Sequence, residues 1–220
     1  MAVGDREGGM EQGNLLSVVA QGGWLMVPIL LCSFIALAVV IERFLTFRRF
    51  RTNLQGVMLR VRGALARGDL EGAKRACEAG GAIVGVLKAG LEAAPAGRES
   101  AEAAMEGAGD RVVFALERNL GVLATVAAVA PLIGFLGTVT GMIKAFMEIQ
   151  ALGGNVNADV LAGGIWEAMV TTAGGLSVGI PTLIFYNYFV GRVDRIKFEI
   201  ESAANELLKI LGGKYEAAAG

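Results

Sequence analysis

Three stretches of this chain carry no charge for long enough to cross a lipid bilayer: residues 12–41, 119–143 and 168–191. The hydrocarbon core is ~30 Å thick, and ~20 apolar residues of helix cross it. Each stretch meets that length, and the second and third have residues to spare. The densest apolar part of the first is 24–41. With 54% of 220 residues hydrophobic and a mean hydropathy of +0.56, the composition departs from that of soluble domains. The expected fold class is an all-α integral membrane protein. It has three transmembrane helices, the N-terminus outside, and long helices extending into a helical cytoplasmic domain.

Basic residues set the direction. Residues 1–23 hold one, Arg6, and 42–118 hold thirteen, including the cluster Arg43, Arg48, Arg49 and Arg51. Residues 144–166 hold one, Lys144, and 192–220 hold five. The positive-inside rule puts the two basic parts in the cytoplasm. The expected division is a periplasmic segment 1–23, a first transmembrane helix 24–42 and a cytoplasmic helical domain 43–118. A second transmembrane helix 119–143, a periplasmic loop 144–160, a third transmembrane helix 161–191 and a cytoplasmic C-terminal helix 192–220 follow. Asp5, Arg6, Glu7 and Glu11 interrupt residues 1–13, which lack the basic start and short apolar core of a signal peptide. The first apolar run is therefore expected to stay in the mature protein.

Outside the spans the pattern is helical, with no period-2 strand signal. Residues 53–67 and 69–79 read as helices broken at Gly68, with Asp69 as N-cap of the second. Gly80 and Gly81 precede a helix over 83–94, ended by Pro95 and Gly97. From Glu99 the chain is expected to run unbroken into the second span. Apolar residues recur at Val193, Ile196, Ile200, Ala203, Leu207 and Leu211, close to a heptad. That stripe suits either packing on the chain's own domain or a seam between subunits.

Glu167 is the acid within the apolar stretch 161–191. An ionisable group in a spanning helix is costly and is a functional candidate by default. At ~100° per residue, Glu167 shares a face with Thr171, Gly174, Val178, Thr182 and Phe185. Met169, Ala173, Leu176, Ile180 and Leu183 form an apolar opposite face fit for lipid. An acid with a hydroxyl one turn away suits a proton relay. Thr172 sits on the flank, placed to face a neighbouring helix. The alternative is an interfacial acid. The 25 residues from Glu167 to Arg192 make about 37 Å of helix, so Arg192 at the inner interface puts Glu167 near the outer one. In the second span Pro131, Gly134, Thr138 and Gly141 lie within about 80° of one another. Gly137 and Gly141 form a GxxxG pair. Small faces in membranes serve helix packing, and Gly174 and Gly175 supply the same in the third span; Thr138 suits packing or a proton pathway equally.

Other chemistries find no support. A net charge of −1 gives no field for nucleic acid, and a chain without histidine lacks the usual general base and commonest metal ligand. No metal or cofactor site is expected. Cys32 lies in an apolar run and Cys77 in a charged segment, so they are expected to stay unpaired. Glycines 163, 164, 174 and 175 follow no strand and precede no GK[ST], unlike a phosphate loop. Ser17 and Ser33 have no base nearby, so no enzyme activity is expected.

Residues 23–34 (GWLMVPILLCSF) and 40–43 (VIER) resemble the first span of the ExbB/TolQ/MotA proton-channel family. Residues 130–141 (APLIGFLGTVTG) resemble its second-span signature. Residues 164–176 (GIWEAMVTTAGGL), with Ile180-Pro181 and Tyr186-Asn187, resemble the third. Residues 68–71 (GDLE) and 89–92 (AGLE) are similar to its cytoplasmic part. The resemblance runs from about Leu15 to Phe198 and is strongest to ExbB-like members. It implies a homo-pentameric ring in the bacterial inner membrane. The ring encloses a single-span ExbD- or TolR-like partner bearing an essential Asp, and proton flow drives motion passed on through a TonB- or TolA-like protein. The family's pathway residues fall on Thr138, Glu167 and Thr172, with Thr171 a neighbour favoured by the helical geometry alone. One charge crossing 100 mV releases about 2.3 kcal/mol. One pH unit adds about 1.4 kcal/mol per proton. A TolQ-like role in envelope integrity and division is the second reading. A MotA-like role fits less well, since that branch has four spans. A passive scaffold and a small-solute transporter are the readings from other classes, the latter opposed by the absence of an inverted repeat.

Overall fold

The computed structural model describes residues 22–50, 54–78, 80–151 and 158–219; side chains are described for 22–48, 50, 54–78, 80–151 and 162–212. The segment 1–21 (with Ser17), residues 51–53 and 79, and the middle of the 144–160 loop lie outside the described residues. The described elements are α1 (Met26–Arg49), α2 (Leu54–Ala66), α3 (Leu70–Glu78), α4 (Ala82–Ala93), a short 3-10 turn (Ala94–Ala96), α5 (Arg98–Glu117), α6 (Leu120–Ala151) and α7 (Ala158–Ala219). No strand occurs among the described residues. Three stretches are long and apolar enough to cross a membrane: Met26–Arg48, Arg98–Ala151 and Ala162–Gly212.

Two compact units divide the chain. One takes residues up to Ala36 together with Ala124–Leu183; the other takes Leu37–Leu123 and residues from Ile184 onward. In the first unit Met26, Ile29 and Val170 form a buried cluster, flanked by Ile133 and Val178. Beyond it, α6 and α7 meet through small residues that bring their backbones close. A Cβ on Gly175 would lie 2.5 Å from Ala130 O and 3.0 Å from Gly134 Cα. A Cβ on Gly134 would lie 3.0 Å from Thr171 O. Gly141 meets Ala168 and the Gly164 carbonyl, and Gly179 meets Pro131. Small residues therefore recur about every turn on both helices, the pattern that lets membrane helices approach closely where lipid offers no hydrophobic drive. Gly174 packs instead on Met26 of α1.

These contacts carry a prediction. Gly175→Val places two methyl groups against immovable backbone, so α6 and α7 must separate, at a cost of about 1–3 kcal/mol or more. Gly163→Ala, which meets nothing within 4 Å, is the control. The first variant is expected to melt well below wild type in detergent and the second at or above it. Equal melting would remove close packing from the account of the α6–α7 pair.

The second unit is built from α2 to α5 with the flanking parts of α1, α6 and α7. Val61, Leu65, Val84, Leu87, Leu91 and Leu116 are buried in it. Gly68, at φ +81°, ends α2 in a Schellman turn: Asp69 N donates to Ala64 O at 3.0 Å and Gly68 N to Leu65 O at 3.0 Å. Asp69 then caps α3 as expected, its Oδ1 accepting from Gly72 N at 2.7 Å. Of the C-terminal stripe, Val193, Ile200, Ala203, Leu207 and Leu211 are buried within this unit and Ile196 is half-buried. Arg62 pairs with Glu206 at 2.7 Å beside them. Packing on the chain's own helices thus accounts for the stripe. Both cysteines are free, and burial pushes the Cys77 thiol above its ordinary range.

One expectation is corrected. The helix from Glu99 does not run unbroken into the second span: α5 ends at Glu117 and α6 begins at Leu120. Arg118 turns extended (φ −48°, ψ 135°) and Asn119 takes φ +62°. Asn tolerates that left-handed conformation better than most residues. Its Nδ2 donates to Glu42 Oε2 at 2.9 Å. The carbonyls left without partners at the end of α5 are taken up by Arg43, whose Nη1 donates to Leu116 O at 3.0 Å and Ala115 O at 3.3 Å.

Candidate functional site

Glu167 lies in the first unit, on the part of α7 that faces both α6 and the chain before α1. Its neighbours come from all three. Lys144 Nζ of α6 is 3.2 Å from Glu167 Oε1, with the two side chains 53% and 33% exposed. Gly23, at φ +68°, lets the carboxylate lie against the backbone ahead of α1; a Cβ there would fall on Glu167 Oε1. Any other residue at position 23 would be strained by the left-handed backbone and would collide with the acid.

The hydroxyls of this region take different backbone partners. Thr171 is 1% exposed, and its Oγ1 sits 2.8 Å from both Gly22 O and Glu167 O. It pins α7 to the turn before α1. Thr172 Oγ1 donates to Gly134 O at 2.8 Å, pinning α7 to α6 as its flank position foretold. Thr182 donates to Val178 O at 2.7 Å within α7. Thr138 donates to Phe135 O at 2.6 Å within α6 and is half-buried. Each hydroxyl proton is thus committed to a backbone carbonyl, while each hydroxyl oxygen keeps acceptor capacity. Among the described residues, the side-chain partner of the Glu167 carboxylate is Lys144. The structure brings Glu167, Thr171 and Thr172 to one junction, with Gly134, Gly137 and Gly175 packed around the threonines. The opposite face of α7 is exposed at Met169, Leu176, Ile180 and Leu183.

Sequence reasoning missed Lys144 as the partner of Glu167, and missed Gly22 and Gly23 as part of the site. The signal for the first was present. Lys144 is the lone basic residue between the second and third apolar runs, and Glu167 the lone acid of the third. Nothing in the local pattern of Gly22 and Gly23 distinguished a turn that seats a carboxylate from an ordinary helix start.

All-helical among its described residues, with three membrane-length apolar helices and a partly exposed acid held where two of them meet, the chain is a helical membrane protein. Residues 81–202 match the family described as the MotA/TolQ/ExbB proton channel family, and the chain belongs to that family. Similar proteins bear both branch names. A Synechocystis sp. protein provisionally called biopolymer transport protein ExbB-like 1 is 35% identical over 181 residues, covering 80% of this chain and 71% of its own. The biopolymer transport protein ExbB of Pseudomonas putida is 36% identical over 117 residues, 48% of this chain and 35% of that one. The Tol-Pal system protein TolQ of Haemophilus influenzae is 41% identical over 108 residues, 49% of this chain and 47% of that one. The last two alignments span less than half of those relatives' own length.

Proposed function

We propose that this chain is the ring-forming inner-membrane subunit of an ExbB–ExbD-like motor, using the proton gradient to energise TonB-dependent transport across the outer membrane. The observation that carries the reading is Glu167: an acid within a membrane-length helix, paired to Lys144, reachable from outside the chain and set at the junction of three helices. Protonation removes its charge and with it the ion pair to Lys144. That local event is one a bundle can convert into motion. Thr138 and Thr172 flank the route, with Thr171 holding the helix beside it. The subunit works as a homo-pentamer around a single-span ExbD- or TolR-like partner whose Asp completes the pathway, with a TonB- or TolA-like protein receiving the work. On this topology residues 1–23 and 144–160 are periplasmic, and 43–118 and 192–220 cytoplasmic.

The second reading is a TolQ-like subunit of the Tol-Pal envelope system, favoured by the TolQ relative at 41% identity. The test is native mass spectrometry of the complex purified through this chain from its host membrane. A homo-pentamer carrying a small single-span protein with an intramembrane Asp is the expected result, and the partner's sequence chooses the branch. A homo-oligomer without such a partner would return the chain to a passive scaffold.

A further inference from the structure

We propose that Arg48 and Arg192 form a binding site for the phosphate of an anionic phospholipid at the inner end of the first and third apolar helices. The site lies in the second unit, and Glu167 belongs to the first. It rests on the membrane placement proposed above, and not on the motor activity.

The register of two helices builds it. Phe44 of α1 stacks on Tyr188 of α7, ring centroids 6.1 Å apart at 19°. Phe44 also meets Phe185, and Phe47 stacks on Phe189 at 5.5 Å and 5°. Contact positions advance together on both helices, so the helices run parallel here. Residues four apart share a helix face. Arg48 therefore lies one turn beyond Phe44, and Arg192 one turn beyond Tyr188, at the same level and toward the same end. Among the described residues neither arginine joins an ion pair, whereas Arg43, Arg62 and Arg195 do. The nearby acids are turned away or already engaged. Glu42 is held by Arg43 and Asn119. Asp194 points about 160° from Arg192 around α7. Glu199 pairs with Arg195 at 3.7 Å, two turns on.

Two guanidiniums at one level, neither in an ion pair among the described residues, favour an anion between them, and the guanidinium fork matches phosphate oxygens bidentately. The surface leading to them selects the kind of phosphate. Ile41, Phe44, Ile184 and Tyr188 are all exposed, at 53%, 43%, 63% and 50%. They make an apolar strip that ends in an aromatic pair and then in positive charge. That order follows a phospholipid from acyl chain to glycerol to headgroup, with the aromatic pair at the interfacial level. An inorganic phosphate would use the arginines and leave the strip uncovered.

The experiment titrates the delipidated full-chain complex with phosphatidylglycerol or phosphatidylcholine and counts bound lipid by native mass spectrometry. Wild type is expected to bind phosphatidylglycerol roughly thirtyfold tighter, the size two interfacial basic residues supply. Arg48→Gln/Arg192→Gln is expected to abolish the preference, and Arg48→Lys/Arg192→Lys to keep part of it. Equal binding of the two lipids by wild type overturns the proposal without recourse to any variant. So does an undiminished preference in the glutamine variant. Displacement of phosphatidylglycerol by equimolar inorganic phosphate would reassign the arginines to a free anion. A changed subunit number in the glutamine variant, with lipid binding intact, would reassign them to a contact between copies of the chain.

Discussion

Glu167→Gln is expected to stop proton-driven work while leaving the complex assembled. Glutamine has nearly the shape of glutamate, so it fits against Gly23 where the left-handed turn leaves room for the acid's oxygen. What it loses is the charge and the proton. The fold should tolerate that loss. The ion pair to Lys144 is partly exposed on both sides, and such pairs contribute about 0.2–1 kcal/mol. The hydroxyl bonds from Thr171 to Gly22 O and from Thr172 to Gly134 O do not involve the carboxylate and remain. A pathway without its proton-carrying group is another matter: positioned proton-transfer groups contribute typically about 10²–10⁴-fold to rate. In liposomes bearing the complete complex under an imposed pH gradient, proton flux through the Glu167→Gln complex should fall at least about a hundredfold. Native mass spectrometry should find its composition unchanged, and Glu167→Ala should behave alike. Wild-type flux in either variant would take Glu167 out of the mechanism and leave it as an interfacial acid that merely fixes helix packing.

Much of this arrangement could be read from residue order. Charge-free length gives the apolar helices, since a bilayer imposes one scale on every span. The face shared by Glu167, Thr171 and Thr182 follows from helical period, and the structure buries both threonines while exposing Met169 and Ile180 opposite. Asp69 and Gly68 were legible because caps and Schellman turns depend on local chemistry. Pairings across helices were not. Lys144 and Glu167 stand 23 positions apart, and their meeting depends on how closely Gly134, Gly141 and Gly175 let two backbones approach. The break at Arg118–Asn119 escaped for a related reason. A single left-handed Asn leaves almost no trace in a hydropathy or period pattern, and what holds it open is Glu42, 77 positions earlier. Arg43 was indistinguishable in sequence from Arg48: both counted as inward-facing positive charge, yet one is interior and the other on the surface.

That difference makes Arg43→Ala the second substitution with a large expected effect. Arg43 is 2% exposed, and its guanidinium joins three things. Nη2 meets Glu42 Oε1 at 2.6 Å; Nη1 reaches Leu116 O at 3.0 Å and Ala115 O at 3.3 Å. Those carbonyls belong to the last turn of α5, where the helix can no longer supply amide partners. Removing the guanidinium leaves them buried and unpaired, and deletes hydrogen bonds from a charged donor worth about 1.5–3 kcal/mol each. It also frees Glu42, which then holds Asn119 alone. A loss near 3 kcal/mol is expected, allowing for water reaching the half-exposed Glu42 side. Arg43→Lys should recover only part, because one ammonium cannot span a carboxylate and two carbonyls in a fixed fork. The effect should be local before it is global. Hydrogen exchange at residues 115–122 should accelerate in Arg43→Ala ahead of any change at 164–175, and the melting temperature should drop. If exchange around the break matched wild type, the α5–α6 joint would be set by Asn119 and the backbone alone. Accelerated exchange confined to that joint would instead identify Arg43 as the clasp that ties the C-terminal end of the first apolar helix to the start of the second.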